Sequence, residues 1–196
     1  MRSLFRPALV LMVFFTVLTG ILYPVVITGI AQAAFPQAAS GSLVWRAGKP
    51  IGSSLIGQNF SDPKYFWSRP SATTPQPYAG TASTGSNLGP LNPALTDGIK
   101  AHIQALQAAD PGNRAPIPVD LVTASASGLD PQESVAAALY QAPRVARARG
   151  LEQQAVRTLI AAHVEGRWLG VFGEPRVNVL ALNLALDDLA PASGSR

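Results

Sequence analysis

The chain contains no cysteine. Disulfides, thiolate metal sites, a cysteine nucleophile and lipid attachment at cysteine are therefore excluded, and the redox compartment leaves no trace. Histidine is nearly as scarce. His102 and His163 are the only two; each falls in a predicted helix without a second His or Cys at ligand spacing, so structural roles are expected for both. Also missing are G-x-S-x-G and the phosphate-cradling G-x-x-x-x-G-K-[ST]; Gly48-Lys49 comes nearest, but Pro50 stands where a Ser or Thr would hold magnesium. Ser61-Asp62-Pro63-Lys64 has the S-x-x-K form of serine β-lactamases, yet the S-D-N and K-T-G elements of that chemistry do not occur. No catalytic residue and no metal site are expected, and the chain reads as a non-enzyme.

Charge is missing from one long stretch. Ala8 to Ala34 is a run of 27 residues without Asp, Glu, Lys or Arg. It exceeds the ~7–15 residues of a signal-peptide core and reaches the ~20 needed to span a bilayer. Ala31-Gln32-Ala33 has the form of a cleavage site, but the length favours a spanning anchor. Gly20, Pro24 and Gly29 are tolerated in such helices. Arg2 and Arg6 precede the run, so positive-inside bias keeps residues 1–7 cytoplasmic and sends residues 35–196 outside as a periplasmic domain. That part has 13 basic and 11 acidic residues, close to neutral and without a basic stripe for nucleic acid. The cluster Arg144, Arg147, Arg149 is expected to be a solvated helix face.

The soluble part reads as α+β. Ser42–Arg46 and Ile51–Gln58 form an expected hairpin around the turn Ala47–Pro50. Ser71 to Pro93 is a long loop ending in TGSNLGPLNP, whose glycines and prolines exclude a helix interior. A helix is expected from the Asn92 cap and Pro93, with Ile99, Ile103 and Leu106 on one face, until Asp110-Pro111-Gly112. Val119–Thr123 reads as a strand. Asp130-Pro131-Gln132-Glu133 has capping-box form and predicts a helix to about Gln141, with Pro143 bending or ending it. A further helix is expected over Glu152–Val164. VNVLALNLALDDL suits either a strand or, preferably, a helix with Val179, Leu182, Leu186 and Leu189 on one face; its Asp187-Asp188 is read as an exposed helix end.

Five segments then carry a resemblance: GSSLIGQNF, YFWSRPSA, TGSNLGPLNP, PVDLVTASASGLDP and GEPRVNVLALNLAL, in this order and behind an apolar anchor containing Tyr23-Pro24. Together they resemble the C subunits of the Kdp potassium-transporting ATPases over nearly the whole chain. The resemblance implies assembly with a channel-like potassium-binding subunit, a P-type ATPase subunit and a very small helical subunit. It further implies a non-phosphorylated accessory role, described for the family as a catalytic chaperone that raises the ATP affinity of the ATPase subunit. Potassium would be carried by the partner subunits, and ATP would act through the complex. The inner membrane of a bacterium is the expected location.

Candidate contacts to a partner or nucleotide are Gln58, Arg69, Ser86, Asn87, Asp120, Arg176 and Asn178. Of these, Gln58 is the first choice for a base or ribose contact, and Arg69, Asn87 and Arg176 for hydrogen bonds to a partner. The loop Thr84–Pro93 is expected to be preshaped for docking, with Gly85 and Gly89 permitting its turns. Its polar residues could equally tie the domain's own loops together. The alternative reading of the whole is a stand-alone anchored envelope protein that binds a small ligand or cell-wall polymer.

Overall fold

The computed structural model describes residues 2–189. The last seven positions of the expected 35–196 domain lie outside the described residues. The chain divides into two compact units, one ending at Ser53 and one beginning at Ser54.

In the first unit, helix α1 (Arg2–Val17) continues through a π-helical turn (Leu18–Leu22) into α2 (Tyr23–Ala34). Leu4–Ala34 is a 31-residue stretch in which an 18-residue window has a mean hydropathy of 2.5 and no buried residue, long and apolar enough to cross a membrane. The wide turn sits immediately before Pro24, which lacks the amide hydrogen and crowds the carbonyl four residues back. Tyr23 N–H instead reaches back to the Leu18 carbonyl. Thr16 and Thr19 donate their hydroxyls to the carbonyls of Met12 and Phe15 at 2.7 and 2.6 Å, so neither is left unpaired in an apolar medium. After the short helix α3 (Pro36–Ala39), strands β1 (Leu43–Arg46) and β2 (Lys49–Ser53) form the hairpin. Its turn is only Ala47-Gly48, both with positive φ, the two-residue form whose twist matches paired strands. Lys49 and Pro50 therefore belong to β2 rather than to the expected longer turn, and the strand ends at Ser53 rather than Gln58.

The second unit is built around α5 (Val135–Arg149). It also contains α4 (Pro93–Ala109), α6 (Gln153–Ala162), α7 (Val179–Asp188) and a three-stranded antiparallel sheet in the order β3-β5-β4 (Gln132–Ser134, Arg176–Asn178, Val164–Glu165). Asn92 caps α4 as expected, its side chain accepting from Ala94 N–H. Ala138, Ala142 and Val145 of α5 pack with Phe66, Val156, Ile160, Val177, Leu182 and Leu186. Ala137 and Tyr140 lie in a second cluster with Leu106, Leu121 and Val122, against which Trp67 packs. The small alanines let neighbouring elements approach closely on both sides of this helix.

Four expectations are corrected here. Val119–Leu121 is a 3-10 turn, not a strand; Leu121 and Val122 are buried in succession, so the alternation of a half-buried strand never develops. The Asp130 motif does not start a helix. Asp130 accepts from Gln132 N–H at 3.0 Å, the chain extends as β3 against β5, and the helix begins at Val135 with Ser134 as cap. Pro143 does not end α5, which continues to Arg149 and the left-handed Gly150. Core contacts of Ala142, Val145 and Ala146 on either side of the proline outweigh its missing hydrogen bond, a loss of about 3 kcal/mol in an unsupported helix. The cluster Arg144–Arg149 is not a solvated face: Arg144 is buried, Arg149 is largely covered, and only Arg147 is exposed, where it pairs with the buried Asp110.

The final segment satisfies both readings in turn: Arg176–Asn178 is a strand and Val179–Asp188 a helix. Glu152 occupies the N-cap position of α6 without a side-chain bond, and the helix ends before Val164 because that residue enters β4.

Candidate docking surface

Phe66 and Trp67 have no strand partner, yet their backbone groups are engaged by two buried amides. Asn183 accepts from Phe66 N–H at 2.8 Å and donates to Phe66 C=O at 3.0 Å. Gln141 accepts from Trp67 N–H at 2.8 Å and donates to Trp67 C=O at 3.1 Å. Each side chain thus replaces one residue of a neighbouring strand. Arg144 completes the clamp: it donates to the Tyr65 carbonyl and to Gln141 Oε1, and its guanidinium lies 4.6 Å from the Trp67 ring. Burial lowers its pKa to about 10.

Beside this clamp runs an open groove of about 610 Å³ lined by Arg69, Val119, Asp120, Asp130, Glu133 and Arg176, among others. Arg69 is placed by two bonds. Its carbonyl accepts from the Tyr78 hydroxyl, whose pKa burial raises to about 12, and its Nη1 pairs with Asp130 at 2.8 Å. Asp120 accepts from Ser134 N–H at 2.7 Å and from its hydroxyl at 3.2 Å. The outward amides of β3, at Gln132 and Ser134, are therefore covered by carboxylates, which blunts that sheet edge against pairing. Arg176 pairs with Glu165 at 3.2 Å.

Between those amides, Glu133 turns inward and is 2 % exposed. Its Oε2 accepts from Gln141 at 2.9 Å. Desolvation first, and the charge of Asp120 second, hold its carboxyl well above the usual range, with Arg144 pulling the other way. Among the described residues, Glu133 Oε1 and Arg69 Nε are buried without a hydrogen-bond partner. The groove so offers shape and internally paired charges, with these two unpartnered atoms buried in its wall. Among the described residues no group of three His, Asp or Glu could hold a metal ion.

Of the seven candidate residues, Arg69, Asp120 and Arg176 meet in this groove. Asn178 is buried instead: it caps α7 by accepting from Ala181 N–H and donates to Ser54 C=O at 2.9 Å. Gln58 lies apart, its carbonyl accepting from the Ser68 hydroxyl at 2.8 Å. Ser86 and Asn87 are exposed on the Thr84–Pro93 loop, with Asn87 at positive φ. In that loop Gly85 is required by packing, since a Cβ there would lie 2.9 Å from Ala126 O; at Gly89 a Cβ would meet nothing.

The residues that sequence reasoning missed are apolar. Trp168, Leu169, Val171 and Phe172 project from the connection between β4 and β5 and are 60–73 % exposed. The signal was present as WLGVF, four large apolar residues around a turn glycine, bracketed by Arg167 and Glu174.

The fold defines a class of protein with one N-terminal helix long and apolar enough to cross a membrane, followed by an α+β unit with exposed surfaces and internally paired charge. Comparison with known families makes this particular. The family model for KdpC, the c chain of K+-transporting ATPase, matches residues 5–188. The potassium-transporting ATPase KdpC subunit of Polaromonas naphthalenivorans is 64 % identical over 193 residues, 98 % of either chain. That of Ralstonia nicotianae is 66 % identical over 187 residues, 95 % of this chain and 92 % of its own. That of Variovorax paradoxus is 64 % identical over 192 residues, 98 % of this chain and all of its own. The chain belongs to the KdpC family and is an accessory subunit of a potassium pump.

Proposed function

We propose that this subunit is held in the bacterial inner membrane by Leu4–Ala34, with its N-terminus in the cytoplasm and its α+β unit in the periplasm. It assembles there with the channel-like potassium-binding subunit, the P-type ATPase subunit and the small helical subunit. Its work is to stabilise that assembly and to support ATP hydrolysis by raising the ATP affinity of the catalytic subunit from the opposite side of the membrane. The observation that carries this reading is identity above 60 % across nearly the full length of relatives named as this pump subunit. Arg2 and Arg6 ahead of the apolar helix support the orientation. The paired charges of the Arg69–Arg176 groove suit a protein surface better than a free anion, because neither guanidinium is without a carboxylate.

The test is co-expression of the tagged chain with its neighbouring genes, purification in mild detergent, and a potassium-stimulated ATPase assay with and without this subunit. Co-purification with a large ATPase, together with a raised ATP KM or lost activity on omission, is expected. Purification of the chain alone, with activity indifferent to it, would leave the stand-alone envelope protein as the better account.

A further inference from the structure

The hairpin β1–β2 follows the apolar helix and belongs to the same compact unit. As a helix, the uncharged run Ala8–Ala34 is about 40 Å long, close to the ~40–45 Å of a bilayer with its headgroup layers. The end of the helix at Ala34 therefore falls at headgroup level. No slack linker lifts the hairpin away from there. Phe35 N–H donates to Ala31 C=O at 2.7 Å, Ala39 N–H to Phe35 C=O at 2.9 Å and Ser42 N–H to Gln37 C=O at 2.9 Å. The far end of the hairpin is tied to the same place, since the Ser53 hydroxyl donates to Gly41 C=O at 2.7 Å. Its side chains are of a particular kind. Leu43 and Trp45, 41 and 59 % exposed, alternate onto one face of β1, and Phe35 at the helix end is 68 % exposed. Arg46 and Lys49 are exposed and lie opposite each other across the tight turn Ala47-Gly48. The unit contains no acid at all, because the first acidic residue of the chain is Asp62.

We infer that the β1–β2 hairpin is a second membrane contact, seated in the phospholipid headgroup layer where the helix emerges, with Leu43 and Trp45 towards the acyl chains and Arg46 and Lys49 on lipid phosphates. The inference rests on the reading of Leu4–Ala34 as a spanning helix. Three observations select lipid as the occupant. The hairpin is rooted at the depth of the headgroups by the bonds just given. Its aromatic residue is tryptophan, whose apolar ring and single N–H donor suit the boundary between acyl chains and water, which is why Trp lines both faces of membrane proteins. Its charges are all positive: long basic side chains lay their stems on apolar surface and place their heads among phosphates, whereas the core of a protein interface is depleted of lysine. The argument holds in either orientation of the helix, because phosphates lie at both bilayer surfaces. The seat also has a mechanical consequence. A single helix is free to turn about its axis and to tilt, and an interfacial Trp with flanking basic residues restrains both. The hairpin would thus fix the heading in which the chain leaves the membrane.

The experiment uses the full chain in nanodiscs of phosphatidylethanolamine and phosphatidylglycerol. Because the chain has no cysteine, Leu43→Cys gives a single attachment site for a nitroxide label and leaves Trp45 in place. Collisions of the label with oxygen, which concentrates in lipid, are compared with collisions with a water-soluble nickel chelate. The same label on Gln107→Cys, exposed on α4, is the aqueous reference, and on Val17→Cys the membrane reference. An oxygen-to-nickel ratio at position 43 roughly threefold or more above the aqueous reference is expected. Adding Lys49→Glu or Trp45→Ser to the labelled chain should lower that ratio about twofold, as the hairpin leaves the headgroups. A water-like ratio at position 43 would overturn the inference. So would few collisions with either reagent, the sign of protein cover by a second copy, and so would a ratio that neither added substitution moves. If the label at position 17 is itself water-like, the spanning reading fails first and takes the hairpin seat with it; a lipid-like label there with a water-like label at 43 overturns the hairpin seat alone.

Discussion

The loop Thr84–Pro93 and the turn Trp168–Phe172 invite opposite readings from sequence and structure. The loop is rich in Gly, Pro and Asn, and its stiffness suggested a surface prepared for a partner. Its first part is occupied by its own domain: Thr84 N–H donates to Ser127 C=O at 3.0 Å, Ser83 bonds the same carbonyl, and Gly85 lies against Ala126. The turn offers almost no polar side chain, yet four large apolar groups stand in solvent. Stiffening residues report how a chain passes itself at close quarters. Exposed apolar area reports what the chain has not covered by itself.

The comparison breaks most readily at the loop's own partner. Gly128 has φ +67, and a Cβ there would lie 2.7 Å from Thr84 O and 2.6 Å from Thr73 Cγ2. Gly128→Val should cost about 3 kcal/mol or more, from strain and overpacking together, seen in denaturant unfolding of the detergent-solubilised protein. A midpoint near native would mean that the two segments are not packed as described. Next in size is Asn183→Leu, which leaves Phe66 N–H and C=O buried and unpaired. A loss of about 2–4 kcal/mol is expected by the same measurement.

The two loop glycines sharpen the contrast. Gly85→Val should destabilise by about 1–3 kcal/mol, whereas Gly89→Val should stay within about 0.5 kcal/mol. Equal effects would show that the loop is held along its whole length. Glu133→Gln probes the buried clamp through pH. Because folding raises the Glu133 pKa above its usual 4.5, the folded state holds this proton more tightly than the unfolded state. The contribution of Glu133 is therefore complete below about 4.5 and falls as pH rises towards its folded pKa. The melting temperature of E133Q relative to native should climb across that window; a constant difference would show that Glu133 ionises as freely as in water. The smallest stability change is expected for Trp168→Ser, within about 0.5 kcal/mol, because its side chain packs on so little of its own domain.

Much of the local architecture was legible before the fold. The apolar run, the Asn92 cap with Pro93, the helix over 153–162 and a mixed α+β unit follow from composition, capping chemistry and periodicity, each set by neighbours a few residues away. The 130–134 stretch shows where this stops. Its capping-box letters are satisfied by another arrangement, because Asp130 and Asp120 bond the outward amides of β3 while β5, more than 40 residues away in sequence, pairs the other edge. Arg144 looked like a surface charge for the same reason. Nothing nearby in sequence announces that Pro63, Tyr65 and Gln141 will supply its acceptors. Of the candidate contacts, Arg69, Asp120 and Arg176 could be named from motifs, but their meeting in one groove could not.

By itself the sequence determined the apolar helix long enough to span a bilayer, the start of α4 at Asn92-Pro93 and the family, since these depend on a run, a cap and ordered motifs that need no fold to exist. Tertiary structure alone decided that Pro143 lies inside a helix, that Asn183 and Gln141 act as strand partners for Phe66 and Trp67, and that Trp168–Phe172 remains uncovered. Each of these depends on which distant groups arrive to supply packing, hydrogen bonds or cover, and that is a property of the folded chain in three dimensions.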